Sequence, residues 1–204
     1  MSYWLSVVLI WLPKIFFGII FILAVLIYGL RKSIGLTKSR TLIISSISFH
    51  VLYAVLLTIS QYYIWSQNKF TQLLLNSSLD LSMPVSGYFL FYSFGRFWLN
   101  ALITIGAAFV FYLFLKFLKK HRERFFEEGE TELGFLSALI VGWPNFVVFL
   151  PLVFVFVVLL SIFRRVFLKE FYTTMGIPFL LAALIVLIFG NQIVDILSLG
   201  VLRI

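Results

Sequence analysis

The sequence contains no cysteine, and this absence excludes disulfide bonds, thiolate metal sites and a cysteine nucleophile. Histidine is also scarce, with 2 residues in 204, so a histidine-rich metal centre is not expected. Charged residues make up 12% of the chain, about half the share that is typical of soluble domains. Aspartate is the rarest charged type and occurs at Asp80 and Asp195 alone. We therefore expect neither a metal nor another cofactor.

The sequence is rich in apolar residues. Hydrophobic residues make up 62% of the sequence, phenylalanine alone contributes 25 residues, and the mean hydropathy is +1.10. This composition is typical of integral membrane proteins, for which the lipid bilayer is the first partner. The net charge of +8 does not require nucleic acid, and none is expected, because basic residues in a membrane protein commonly mark the loops of one face.

Long apolar runs predict the architecture. A membrane helix needs about 20 mostly apolar residues. Six candidate segments lie at about 3–30, 41–65, 97–117, 129–142, 146–163 and 177–197, the fourth short and starting near Gly129. Because lipid cannot satisfy backbone polar groups, all six should be helical, with a kink or break at Pro13 in the first. The sequence thus predicts an all-α polytopic membrane protein with a single domain over residues 1–204. The apolar start has no basic region before it and no small-residue cleavage site, so we interpret it as the first span and not a signal peptide.

The basic residues predict an orientation for these segments. Twelve of the 16 Lys and Arg residues fall in three connections, 31–40, 116–132 and 164–170. These connections lie on one face if every segment crosses once. The positive-inside rule then places the three basic loops in the cytoplasm and both termini outside.

Acidic residues are concentrated in one short stretch, since five of the eight lie between Glu123 and Glu132. In the simplest interpretation, the glutamates at 127, 128, 130 and 132 form a solvated turn that complements the positive N-terminal end of the fourth helix. Thr131 would then be the N-cap of that helix.

A second interpretation comes from the order of parts around this stretch. Gly129-Glu130-Thr131-Glu132 is followed by "LGFLSALIVGWPN", another helix, and "MGIPFLLAALIVLIFGNQIVDIL", and it is preceded by "LNALITIGAAFVFYLFLKFLKK". This order resembles the type IV prepilin peptidase family, polytopic aspartic proteases with a Gly-x-Gly-Asp motif at the cytoplasmic start of a short helix. The resemblance implies a bacterial or archaeal plasma membrane. It also implies cleavage of a short basic leader from pilin-like precursors at the cytoplasmic face.

The match departs from the family at the positions that carry the chemistry. Glu132 stands at the motif's aspartate, Thr131 at its second glycine, and Gly134 at the lysine that usually follows. Gly29, in "IYGLRKSIGLTKSRTL", stands where the family has its other catalytic aspartate. An aspartic protease needs two carboxylates that share a proton, and here Glu130 or Glu128 would have to supply the second.

The departures predict reduced or lost catalysis. Glu132 is the first catalytic candidate and Glu130 a weaker one, with Gly129 and Thr131 as motif positions. The partners implied by the resemblance are pilin-like precursor peptides. The alternative is a non-enzymatic scaffold or assembly subunit, whose partner would be another subunit of a membrane complex.

Two further polar positions have competing interpretations. His50 lies within the second segment, where a bond to a neighbouring helix is favoured over a proton relay. Asp195 lies beside Asn191 and Gln192 near the end of the last segment, where an interfacial helix end is favoured over an ion site. A transporter or channel is disfavoured because few polar residues fall within the segments.

Overall fold

The computed structural model describes residues 3–30, 37–76, 86–121, 126–169 and 174–202, and every regular element in these ranges is helical. The α-helices are α1 (Tyr3–Gly29), α2 (Thr37–Gln67), α3 (Lys69–Asn76), α4 (Ser86–Ser93), α5 (Leu99–His121), α6 (Glu130–Val141), α7 (Phe146–Phe163) and α8 (Gly176–Ile196). A π-helical stretch, Phe94–Trp98, joins α4 to α5. The prediction of an all-α chain is confirmed for these ranges.

Five of the helical stretches are long and apolar enough to cross a membrane. They are Val7–Gly29, Ser39–Gln67, Tyr88–His121, Phe146–Phe167 and Gly176–Ile196, with mean hydropathies between 2.1 and 3.1. Large apolar side chains are exposed along them, for example Ile19, Leu52, Val110 and Ile188. Such a surface suits lipid and is unfavourable in water, which is consistent with an integral membrane protein.

The short helix α6 lies at the centre of the bundle. At 12 residues it extends roughly 18 Å, at 1.5 Å per residue, which is less than a bilayer core. It contacts α1, α2, α5, α7 and α8, and all of its residues except Glu132 are buried. A helix that is apolar on every side must be enclosed by other elements, and here the longer helices enclose it.

Contacts of α6 define two ends of the bundle. At its N-terminus, Glu130 contacts the last turn of α1 and the start of α8. Just after its C-terminus, the Trp143 backbone N–H donates to the Thr104 hydroxyl near the start of α5, at 3.0 Å. The Trp143 indole donates to the Leu202 carbonyl beyond α8, at 2.8 Å. We call these the Glu130 end and the Trp143 end.

Aromatic residues form the core beside α6. Phe149 and Phe179 are fully buried, and Phe111 meets both edge-on with ring centroids 6.0 Å apart. Edge-to-face pairs of this kind add to the energy of burying the rings. The core thereby fixes α5, α7 and α8 around the short helix.

Of the kink or break expected at Pro13, the break does not occur, since α1 continues through this residue. Proline has no N–H and leaves the carbonyl four residues earlier, that of Leu9, without its helical donor. The Tyr53 hydroxyl of α2 donates to this carbonyl at 2.9 Å. A side chain from a neighbouring helix thus replaces the lost hydrogen bond, as lipid-embedded helices require.

Some predicted features fall outside the described residues. These are Asp80 and most of the first basic connection, together with positions 122–125 of the second and 170 of the third.

Candidate functional site

The Glu130 carboxylate accepts four hydrogen bonds from described residues at its end of the bundle. Its side chain is fully buried at the first residue of α6. One oxygen, Oε1, accepts from the Tyr28 hydroxyl at 3.2 Å and from the Gly176 N–H at 2.9 Å. The other, Oε2, accepts from the N–H groups of Glu127 at 3.0 Å and Met175 at 3.2 Å. Four donors from three separate segments therefore meet on one carboxylate.

Two of these donors belong to the start of another helix. Met175 is the N-cap of α8 and Gly176 is its first residue, so their N–H groups have no partner within that helix. A negative group at this point also complements the positive end of the helix dipole. Glu130 therefore caps α8 from outside, while its bond to the Glu127 N–H closes the turn before α6.

The helices α1, α6 and α8 meet at Glu130, and this junction depends on a glycine in α8. A Cβ atom built at Gly176 would overlap the ring of Tyr28. The close approach of α1 to α8 lets the Tyr28 hydroxyl and the Gly176 N–H reach the same carboxylate oxygen. A larger residue at 176 would separate the two donors.

Glu132, the first catalytic candidate, has a different environment. It is half-buried and accepts from the Thr131 hydroxyl at 2.7 Å. Residues two apart on a helix do not face each other, since each residue turns the chain by about 100°. Glu130 and Glu132 thus point away from each other on α6.

The helix start differs from the first interpretation in two respects. The N-cap is Gly129, with a φ of 84°, and Thr131 already lies inside the helix, so Thr131 is not the N-cap. The left-handed φ is one that glycine adopts without strain. The acidic turn is also not uniformly solvated, because Glu127 and Glu128 are exposed while Glu130 is buried.

Gly29 lies at the same end of the bundle as the acidic motif. It is the last residue of α1 and follows Tyr28, which bonds to Glu130. A Cβ built at Gly29 meets no described atom within 4 Å, so a side chain has room there. Folding thus brings the last turn of α1 next to the start of α6.

Asp195 lies far from this junction. It is exposed near the end of α8, 19 residues after Gly176, which is roughly 28 Å along the helix. It therefore cannot pair with Glu130 or Glu132. An exposed helix end agrees with the interfacial interpretation of this residue.

His50 makes the contact expected of it. Its Nε2 lies 3.0 Å from the Leu139 carbonyl of α6, so a bond joins α2 to the central helix. The Leu139 carbonyl lies in the last turn of α6, where helical carbonyls lack an internal donor.

Sequence reasoning overlooked two basic residues at the Trp143 end, Lys14 and Arg96, which line a cavity of about 230 Å³. Both lie within helices long enough to span a membrane. For Lys14, an ionisable residue inside the first predicted apolar segment was the available signal, whereas Arg96 lies directly before the third segment. Within the described ranges, no cluster of three or more His, Asp or Glu side chains could hold a metal ion.

Fold and site together define an all-helical protein of membrane type, built around a short buried helix with a carboxylate at its start. Comparison with known family models, characterised proteins and solved structures finds no match.

Replacing Tyr28 with phenylalanine removes one of the hydrogen-bond donors to Glu130 and tests its contribution to stability. We expect the free energy of unfolding to fall by about 1 kcal/mol, because one hydroxyl donor is lost while three backbone donors remain on Glu130. Thermal unfolding of detergent-purified protein, followed by circular dichroism, measures the change. Tyr62→Phe is the control, since Tyr62 is 54% exposed. Equal melting temperatures for the two variants would contradict a structural role for the Tyr28 hydroxyl.

Proposed function

We propose that this chain is an integral membrane protein of prepilin-peptidase type whose leader-peptidase chemistry is reduced or lost. In this proposal the six predicted segments cross a bacterial or archaeal plasma membrane, with α6 as the short fourth segment and the three basic loops in the cytoplasm. The Glu130 end would then face the cytoplasm, where the family cleaves pilin-like precursors.

The observation that carries the proposal is the set of donors on Glu130. A catalytic carboxylate must face substrate and an attacking water, and its partner must be a second carboxyl group. Glu130 instead caps α8 and is fully buried. Four donors among the described residues occupy the lone-pair positions that water or substrate would use.

The second argument concerns the partner position. The residue that ends α1 beside the junction is Gly29, which has no side chain. Glu132 keeps a carboxylate at the motif, but its oxygen bonds to the Thr131 hydroxyl. Neither position thus offers a free carboxylate to a second one, which supports a loss of leader-peptidase chemistry.

A cleavage assay tests the proposal. Membranes that contain the protein are incubated with a pilin-like precursor, and leader release is followed by gel mobility. We expect little or no release above membranes that lack the protein. Release that disappears in Glu132→Gln would show an active peptidase and refute the loss of catalysis.

A gain-of-function variant sharpens this assay. Gly29→Asp places a carboxylate at the family's second position, where the described neighbours leave space for a side chain. The variant should fold like the parent. Leader release by Gly29→Asp, absent from the parent and from Gly29→Asn, would support the loss of one carboxylate as the cause of inactivity.

The structural use of Glu130 also favours a second candidate, a non-enzymatic scaffold or assembly subunit of a membrane complex. A carboxylate that holds α1, α6 and α8 together serves a fixed architecture and needs no substrate. Co-purification of a stoichiometric membrane partner, unchanged in Glu132→Gln, would favour this candidate.

A further inference from the structure

A polar cavity lies at the Trp143 end, the opposite end of the bundle from Glu130. Residues of α1, α2, the π-helical stretch Phe94–Trp98, α5 and α8 line it, together with the end of α6 and the turn that follows. Its volume is about 230 Å³. This is below the 300–1,000 Å³ typical of sites for drug-sized ligands, so it suits a small group or the head of a larger molecule.

Two cations line this cavity from within candidate spans. Lys14 belongs to the span Val7–Gly29 and Arg96 to the span Tyr88–His121. Charged residues in membrane helices are costly, and they usually mark a pathway, a ligand or a counter-ion. The described residues that line the cavity include no acid, and none of the described carboxylates pairs with either cation. The Lys14 ammonium lies 5.1 Å from the centroid of the Trp11 ring.

The cavity also presents hydrogen-bond acceptors that lack donors. The side-chain oxygens of Asn100 and Asn145 are buried and have no hydrogen-bond partner among the described residues. The amide nitrogen of Asn145 donates to the Asn191 side-chain oxygen at 3.4 Å, which leaves the Asn145 oxygen available. A buried acceptor without a partner costs about 1–3 kcal/mol, so a bound donor at this place is favourable.

The remaining wall is mostly apolar, with polar groups from His50, Tyr53, Thr104 and Asn191. Phe17, Phe49 and Leu57 contribute to it, and the outer surfaces of the neighbouring helices are exposed and apolar. A ligand suited to the whole cavity carries a negative charge for the cations, a hydroxyl for the asparagine oxygens and an apolar part that continues along the helices.

We propose that this cavity binds a phosphate ester that carries hydroxyl groups, the chemistry of a phosphoglycerol lipid headgroup. Lys14 and Arg96 contact the phosphate, because both side chains form charge-assisted hydrogen bonds with phosphate oxygens. The glycerol hydroxyls donate to Asn100 and Asn145. The inference is independent of the proposed function, since none of these residues contacts Glu130.

Native mass spectrometry of the purified protein tests the proposal. The detergent-purified chain is titrated separately with phosphatidylglycerol, phosphatidylcholine and glycerol phosphate. We expect phosphatidylglycerol to bind at least about tenfold more tightly than phosphatidylcholine, whose head lacks hydroxyls and carries a positive charge. Lys14→Gln and Arg96→Gln should each weaken phosphatidylglycerol binding roughly tenfold, the size expected for one charge-assisted contact.

The matched control is Lys69→Gln, which removes one positive charge from the exposed helix α3, outside the cavity. It should leave binding unchanged, whereas Asn100→Leu should reduce the preference for phosphatidylglycerol. Equally tight binding by Lys14→Gln, Arg96→Gln and Lys69→Gln would overturn the proposal. Equal affinity of the unmodified protein for phosphatidylglycerol and phosphatidylcholine would overturn it too, even if a variant fails to fold. Binding of glycerol phosphate with the same dependence on Lys14 and Arg96 would confirm the site and identify a soluble phosphate ester as a source.

Discussion

Replacing Glu130 with alanine is expected to lower the free energy of unfolding by at least about 3 kcal/mol. The change leaves three N–H groups without their acceptor, that of Gly176 at a buried contact and those of Glu127 and Met175 at part-buried ones. Each buried donor that loses its partner costs about 1–3 kcal/mol, and the helix dipole of α8 also loses its compensating charge. Thermal or denaturant unfolding of the purified protein in detergent measures the loss.

The variant Glu130→Gln separates the effect of the carboxylate charge from that of the side-chain shape, since glutamine is similar in size and uncharged. Glutamine keeps one oxygen but presents an NH₂ group to donors that need an acceptor, so this variant should lie between the parent and Glu130→Ala. Glu132→Ala is the matched control on the same helix turn. It should cost less than about 1 kcal/mol, because its carboxylate is half-buried and accepts from the neighbouring Thr131 hydroxyl. Equal losses in Glu130→Ala and Glu132→Ala would contradict the capping role of Glu130.

Much of the fold follows from the sequence because the apolar runs are long and their ends are clearly marked. The structure places α6 at Glu130–Val141 and α8 at Gly176–Ile196, within a few residues of the predicted 129–142 and 177–197. The short helix begins after Gly129 and ends before Gly142, both with positive φ. Glycine tolerates this conformation, so both boundaries could be inferred from composition.

The role of each glutamate could not be inferred in the same way. Glu130 and Glu132 are two residues apart, and a shift of the helix start would exchange which of them faces α8. The burial of Glu130 depends on Tyr28 and Gly176, which lie 102 and 46 residues away along the chain. Such distant contacts leave no local pattern, so both glutamates could be placed equally well on a solvated turn from the sequence alone.

The cavity at the Trp143 end was missed for a related reason. Lys14 follows Pro13, and that proline suggested a helix break, where a lysine would be unremarkable. In the structure the Tyr53 hydroxyl satisfies the carbonyl of Leu9, and α1 continues. Lys14 is therefore a charge within a span, a feature that depends on a contact between α1 and α2.

Gly134→Leu is the second substitution for which we expect a large effect, a loss of at least about 3 kcal/mol in the free energy of unfolding. Gly134 lies in the middle of α6, and a Cβ there would overlap a methyl group of Leu115 and lie 3.1 Å from the Phe179 ring. Both neighbours are buried, so neither can move without disturbing the core. Inserting methylene groups into a well-packed core typically costs 1–3 kcal/mol, and leucine adds four carbon atoms.

Gly106→Leu provides the matched control, because it makes the same change within a helix at an open position. Gly106 is exposed on α5, and a Cβ built there meets no described atom within 4 Å. A leucine at this position would face lipid and improve helix propensity, so stability should stay constant or rise by about 0.5–1 kcal/mol. Unfolding temperatures in detergent, measured for both variants, give the comparison. Equal shifts in the unfolding temperature for the two variants would contradict the conclusion that the close packing of α6 against α5 and α8 requires glycine at 134. If only Gly134→Leu is destabilised, glycine at position 134 serves the packing of the central helix.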